Sequence, residues 1–132
     1  MKIAIIGTRG IPAKYGGFET FAQELSVRLV QMGVDVDVYC DSTTDKLDNY
    51  FGVNLHYVSC TKTNNPLKYY RESVRRADNS DCDIILICGA AASIFMFEKI
   101  LYSKKKYIIN TDGVEHKRDK WSYLKKMFIK FT

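Results

Sequence analysis

The sequence has little proline, two residues in 132, and no low-complexity tract or internal repeat. That excludes a linker-rich, repetitive or fibrous chain and fits one folded domain. No apolar run approaches the roughly 20 residues that span a bilayer. Met1-Lys2 leads directly into an apolar strand-like run, without the basic start, apolar stretch and cleavage site of a signal peptide. A cytoplasmic protein is therefore expected. The four cysteines (Cys40, Cys60, Cys82, Cys88) form no CxxC pair, so neither a zinc site nor any other metal site is expected. Reduced structural thiols are the reading that suits that compartment. Gly-Lys-Ser and Gly-Lys-Thr are missing, which excludes a P-loop.

The chain is 46% hydrophobic and 27% charged, with a net charge of +5. Residues 104–130 carry nine Lys or Arg against three acids, so the basic character belongs to the C-terminal end. A nucleic-acid surface would spread cations over one face with aromatics between them, so no nucleic-acid partner is expected. An anionic contact near the tail, such as a membrane surface, is favoured instead.

Strands are expected at 2–7 (KIAIIG), 34–40 (VDVDVYC), 53–59, 84–88 (IILIC) and 106–111. The 34–40 run alternates apolar and acidic residues, which predicts one wetter face. Helices are expected at 18–32, where Phe18, Phe21, Ala22, Leu25 and Leu29 make an apolar stripe, at 67–78 after Pro66, near 93–102 and at 118–131. Gly33 is the expected stop of the first helix. Residues 41–52 read as a polar loop. Strands alternating with helices predict an α/β fold, a doubly wound and mostly parallel sheet flanked by helices. Ligands in such sheets sit outside the carboxyl ends of the strands, where loops 8–17 and 112–117 are both expected.

The first loop is the most informative segment. Gly7, Gly10, Gly16 and Gly17 lie between an apolar strand and a helix. They miss the GxGxxG spacing, and Asp41 follows Gly7 by 34 residues against roughly 20 in the dinucleotide fingerprint, so a nicotinamide-dependent oxidoreductase ranks third. Gly16-Gly17 directly before a helix lets an anionic group touch the backbone beside amides that lack partners within the helix. The rival reading is a flexible turn. Glu19 in the first helical turn reads equally well as a residue favouring the helix dipole and facing water, or as a site residue. Arg9 reads as a ligand contact or a solvated cation. Asp112-Gly113 by itself reads as a turn pair. His56 falls inside a strand and reads as structural. Trp121, Leu124, Phe128 and Phe131 share one side of the last expected helix, with Arg118 and Lys125, Lys126 and Lys130 away from them. That stripe either packs on the sheet or lies in a membrane interface.

Residues 7–21, GTRGIPAKYGGFETF, closely resemble the N-terminal motif of bacterial family 4 retaining GT-B glycosyltransferases of surface-polysaccharide assembly, some of them of rhamnosyltransferase type. Residues 110–122, NTDGVEHKRDKWS, are similar to the group's Asn-x-Asp-Gly-x-Glu-Trp-x-Arg-x-Lys-Trp pattern, with His116 in place of tryptophan. The resemblance implies a Rossmann-like domain forming the acceptor-side half of a two-domain enzyme. The donor-binding half, with two glutamates eight positions apart, is not found among these 132 residues, so the chain is expected to be inactive alone. The implied donor is a nucleotide sugar, with no further cofactor. The implied acceptor is a saccharide or lipid-linked saccharide, reached from the inner membrane face with peripheral contact through residues 118–131. The resemblance gives Asp112 and Glu115 the catalytic roles of orienting sugar or acceptor hydroxyl. It gives Gly16, Gly17 and Glu19 the donor phosphate, and Arg9, Tyr15, Gly113, His116 and Arg118 the acceptor. A non-catalytic module binding a nucleotide sugar or a protein partner is the alternative.

Overall fold

The computed structural model describes residues 1–42, 46–96, 99 and 102–111. Six strands form one sheet: β1 (Lys2–Ile6), β2 (Asp35–Cys40), β3 (Asn49–Tyr50), β4 (Val53–Tyr57), β5 (Ile84–Cys88) and β6 (Lys106–Asn110). Their order is β3-β4-β2-β1-β5-β6, and every pairing is parallel except the short antiparallel β3–β4 ladder. Helix α1 (Gly17–Gln31) follows β1 and α2 (Pro66–Asp78) follows β4. The expected α/β Rossmann-like, mostly parallel architecture is what the chain adopts.

The strand period explains the two core layers. Ala4 and Ile6 on β1, with Ile85 and Ile87 on β5, meet Tyr69, Val74 and Ala77 of α2. Ile3, Ile5, Val36, Val38 and Leu86 point to the other face and meet Ala22 of α1. Central parallel strands covered on both faces read as continuous apolar runs, which is why IAII and IILIC were legible. Helix α2 starts with Pro66 at its first turn and Asn65 as N-cap, whose Oδ1 accepts from the Lys68 N–H at 3.1 Å. Helix α1 ends at Met32, followed by Gly33.

Three expectations need correction. The polar loop 41–52 contains β3, too short at two residues to leave a periodic signal. A 3-10 helix, Ala90–Met96, takes the first part of the helix expected near 93–102, and Lys99 beyond it is α-helical. The wetter face of β2 does not exist, because every residue from Val36 to Cys40 is buried. Asp37 is buried with its charge matched: Lys2 Nζ lies 3.2 Å away, Asn54 Nδ2 donates at 3.0 Å and His56 Nε2 sits 3.4 Å from Oδ1. Lys2 also reaches Asp81 at 2.8 Å, so the amino end of the sheet is tied by one ion network. The loop 112–117 and helix 118–131 lie outside the described residues. All four cysteines are free thiols.

Burial alone would push the Asp37 carboxyl up, but hydrogen bonds with His56, Asn54 and Lys2 outweigh it and hold the carboxyl at about 2, below its ordinary 3.8. A depressed native value stabilises the fold fully above the unfolded value, and that contribution disappears as pH falls through the native one. Asp37→Asn is expected to lower stability at neutral pH by about 2 kcal/mol and to flatten the loss of stability between about pH 4 and pH 2. Urea melts across that range check this; an acid limb as steep as the parent's contradicts it.

Candidate functional site

The strand order reverses direction between β1 and β5: β2 and β4 lie on one side of β1, β5 and β6 on the other. A crevice outside the carboxyl ends is expected at this switch point. The loop 7–16 leaves β1 there. Gly7 has φ +94°, and a Cβ on it would lie 2.4 Å from the Cys88 carbonyl oxygen at the end of β5. Gly10 has φ +116°, and its Cβ would strike Cys40 Sγ at 2.5 Å. These two glycines let the loop run flat against the ends of β5 and β2.

The loop is held from several sides. Glu19 Oε1 accepts from the Arg9 N–H at 2.9 Å, and Gln23 Oε1 accepts from the Ala13 N–H at 2.8 Å. The Asp41 N–H donates to the Arg9 carbonyl at 2.9 Å. From α2 the fully buried Tyr69 hydroxyl donates to the Thr8 carbonyl and lies 3.2 Å from that of Tyr39. Ile11, 1% exposed, anchors the middle of the loop in the core, next to a cis Ile11–Pro12 bond. The loop is therefore a built element rather than a slack connection.

Gly16 and Gly17 fall at the exposed junction that opens α1. Gly16 is the N-cap in extended conformation, and no side chain caps it. A Cβ on Gly16 would press on Glu19 Oε2 at 3.2 Å, whereas a Cβ on Gly17 would meet nothing within 4 Å. So Gly16 makes room for Glu19, and Gly17 faces open space. Arg9 stacks on the exposed Tyr15 ring, 4.4 Å from guanidinium carbon to centroid. The structure thus brings Arg9, Tyr15, Gly16, Gly17 and Glu19 together on the carboxyl rim. Glu19 faces inward as a backbone acceptor, not water. Asp112, Gly113, Glu115, His116 and Arg118 lie outside the described residues. His56 is on β4, in the ion network of the amino end.

Lys62 is a rim residue that sequence reasoning missed. It lies in the turn between β4 and α2, and its Nζ donates to the Gly7 carbonyl at 2.6 Å. Its position just beyond a strand's carboxyl end was the available signal. Burial lowers its pKa; Glu19 works against that and Arg9 adds to it. The thiols nearby are not nucleophiles, since burial pushes Cys40 up to about 11 and Cys88 to about 12. Among the described residues, no group of three His, Cys, Asp or Glu is placed to hold a metal ion, and no helix is long and apolar enough to cross a membrane. A groove of about 440 Å³ lined by Val27, Arg28, Tyr50 and Phe51 lies on the flank between α1 and β3, away from the rim.

The glycines predict opposite responses. Gly7→Ala forces a Cβ into a backbone carbonyl at a left-handed φ and is expected to cost at least about 2 kcal/mol. Gly17→Ala is expected to stay within about 1 kcal/mol of the parent, or slightly above it, because a helical position with free space gains from alanine. Thermal melts of the two variants check the contrast; equal losses at both positions contradict it.

No curated protein matches the sequence. Among solved structures, the chain is similar to a sucrose-phosphate synthase from Thermosynechococcus elongatus, with a TM-score of 0.71 at 12% identity. The match covers 98% of this chain and 39% of that one, so the likeness is one of fold and this chain spans well under half of that protein's length. The family model for a domain of unknown function, DUF1972, matches residues 1–132, and the chain belongs to that family.

Proposed function

We propose that this chain is the N-terminal, acceptor-side domain of a retaining GT-B glycosyltransferase, which moves a sugar, rhamnose being the first candidate, from a nucleotide sugar to a saccharide or lipid-linked acceptor. The observation that carries the reading is the Gly16–Gly17 junction: an open helix start on the carboxyl rim, at the switch point of the sheet, behind a tightly tied loop. The fold likeness to a sucrose-phosphate synthase and the motifs GTRGIPAKYGGFETF and NTDGVEHKRDKWS support it.

The chemistry asks little covalent work of the protein. The bond between the anomeric carbon and the leaving diphosphate breaks, the acceptor hydroxyl attacks that carbon from the same face, and its proton passes to the departing diphosphate. Stabilising negative charge on the departing diphosphate is the main task. Amides at the start of α1 face that charge, and Gly17 leaves space for it. Glu19 acts by fixing the Arg9 amide, which keeps the loop in shape. Arg9 and Tyr15 present a cation and an aromatic face to a sugar acceptor. The resemblance assigns Asp112 and Glu115 to orienting the reacting hydroxyl, and Gly113, His116 and Arg118 to the acceptor. The basic segment 118–131 contacts the membrane surface on the cytoplasmic side.

The 132-residue chain alone is expected to show no transfer, and a polypeptide joining it to a donor-binding domain is expected to transfer sugar from a nucleotide-sugar panel. In that polypeptide Gly17→Val is expected to lower kcat/KM at least tenfold, about the loss of one charge-assisted contact. At least one of Asp112→Asn and Glu115→Gln is expected to lower kcat by about 100-fold. Radiolabelled sugar incorporation measures all of these. Robust transfer by the short chain, or full activity of the Gly17→Val form, overturns the assignment.

A further inference from the structure

Arg9 and Lys62 are 53 positions apart, on loops after β1 and after β4, yet they converge on one place. Lys62 Nζ donates to the Gly7 carbonyl, two residues before Arg9, and the Arg9 charge adds to burial in lowering the Lys62 pKa. Holding an ammonium half-buried beside a guanidinium costs free energy, and a surface lysine kept for solubility has no reason to accept it. Among the described residues the local compensation is incomplete. Glu19 is the nearest opposing charge in effect on Lys62, but one of its oxygens is already committed to the Arg9 amide. Asp41 acts on Lys62 more weakly, and its Oδ2 lies 3.4 Å from the backbone nitrogen of Lys62. An ammonium carries three donors, and the Gly7 carbonyl takes one. The Tyr70 ring, 5.6 Å from Nζ, walls one side.

We infer that Lys62, with Arg9, forms a side-chain seat for a substrate phosphoryl group at the exit of β1, across the loop from the amides that open α1. This inference rests on the reading of that rim as a phosphate site and adds to it a residue from a different loop. A multi-oxygen anion suits the place better than a carboxylate, since its several oxygens can accept from more than one donor. The phosphoryl group can come from the nucleoside diphosphate of the donor or from a diphosphate-linked acceptor. Both present the same oxygens to Lys62.

The test is titration of the 132-residue chain with inorganic pyrophosphate, read by calorimetry and by the NMR signals of lysine side chains. Saturable binding is expected, with the Lys62 signal moving, a loss of about tenfold or more in affinity for Lys62→Gln, and most of the affinity kept by Lys62→Arg. If Lys62→Gln melts below the working temperature, the Lys62 signal of the parent chain gives the answer without a substitution. A purely structural lysine would leave that signal still on titration. Competition by dTDP but not by geranyl diphosphate assigns the seat to the donor, and the reverse assigns it to the acceptor; either result supports the seat. Unchanged affinity in Lys62→Gln together with loss in Gly17→Val overturns the role of Lys62 and leaves the helix-start site standing. Absence of any saturable binding overturns the seat, while glycosyl transfer by the longer polypeptide is judged separately by sugar incorporation.

Discussion

The contact on which this arrangement depends is the one between the exit of β1 and the end of β5. A hydrogen in place of a Cβ at Gly7 lets the backbone turn with positive φ while lying against the Cys88 carbonyl. Any side chain there would push apart the two strands that flank the switch point. The course of the loop and the starting point of α1 follow from that approach. Gly10 repeats the device against Cys40 at the end of β2, so the loop is pinned to the strands on both sides of β1.

A loop of ten residues laid over a sheet edge exposes many backbone polar groups, and each needs a partner if water is kept out. The partners come from both helical layers. Glu19 and Gln23 reach it from α1, one helical turn apart, so one face of that helix serves the loop and another serves the core. Tyr69 reaches it from α2 on the opposite side of the sheet. Lys62 adds a charged tie from a third direction. Such bracing keeps the Gly16–Gly17 junction in place before a ligand arrives, so that little ordering entropy remains to oppose binding.

Much of the fold was legible because its signals are local. The runs at β1 and β5, the stripe of α1, Pro66 and Gly33 each act through neighbours within a few residues. The features that were not legible depend on distant partners. Asp37 looks like a solvent-facing acid in an alternating strand, and only Lys2, Asn54 and His56, brought alongside by the parallel pairings, make it a buried one. The two residues of β3 have no period to read, and they pair only because the turn at Phe51-Gly52 folds them back on β4. At the rim, Gly16–Gly17 could be found from the strand-loop-helix pattern. The inward turn of Glu19 could not, because its acceptor role needs the Arg9 amide ten positions back. Lys62 carries no motif at all; it becomes a rim residue only once the loop after β4 is set beside the loop after β1.

The two ends of β1 differ in how their lysines are matched. At the amino end of β1, Lys2 is surrounded by Asp35, Asp37 and Asp81, and its pKa is raised, chiefly through the contact with Asp81. That charge is already matched, and an added anion would meet three carboxylates. At the carboxyl end the pattern inverts. Lys62 rests on a carbonyl oxygen, burial lowers its pKa, and Arg9 stands on the same side of the balance. The parallel register carries this asymmetry further, because every β-to-α loop of the layered fold delivers its helix start to that same end. An anion approaching the ends of β1 therefore meets a lysine ringed by carboxylates at one and, at the other, a lysine on a carbonyl oxygen near an open helix start. It is on this difference around Lys2 and Lys62, more than on the glycines alone, that the proposed phosphoryl seat at the rim of β1 rests.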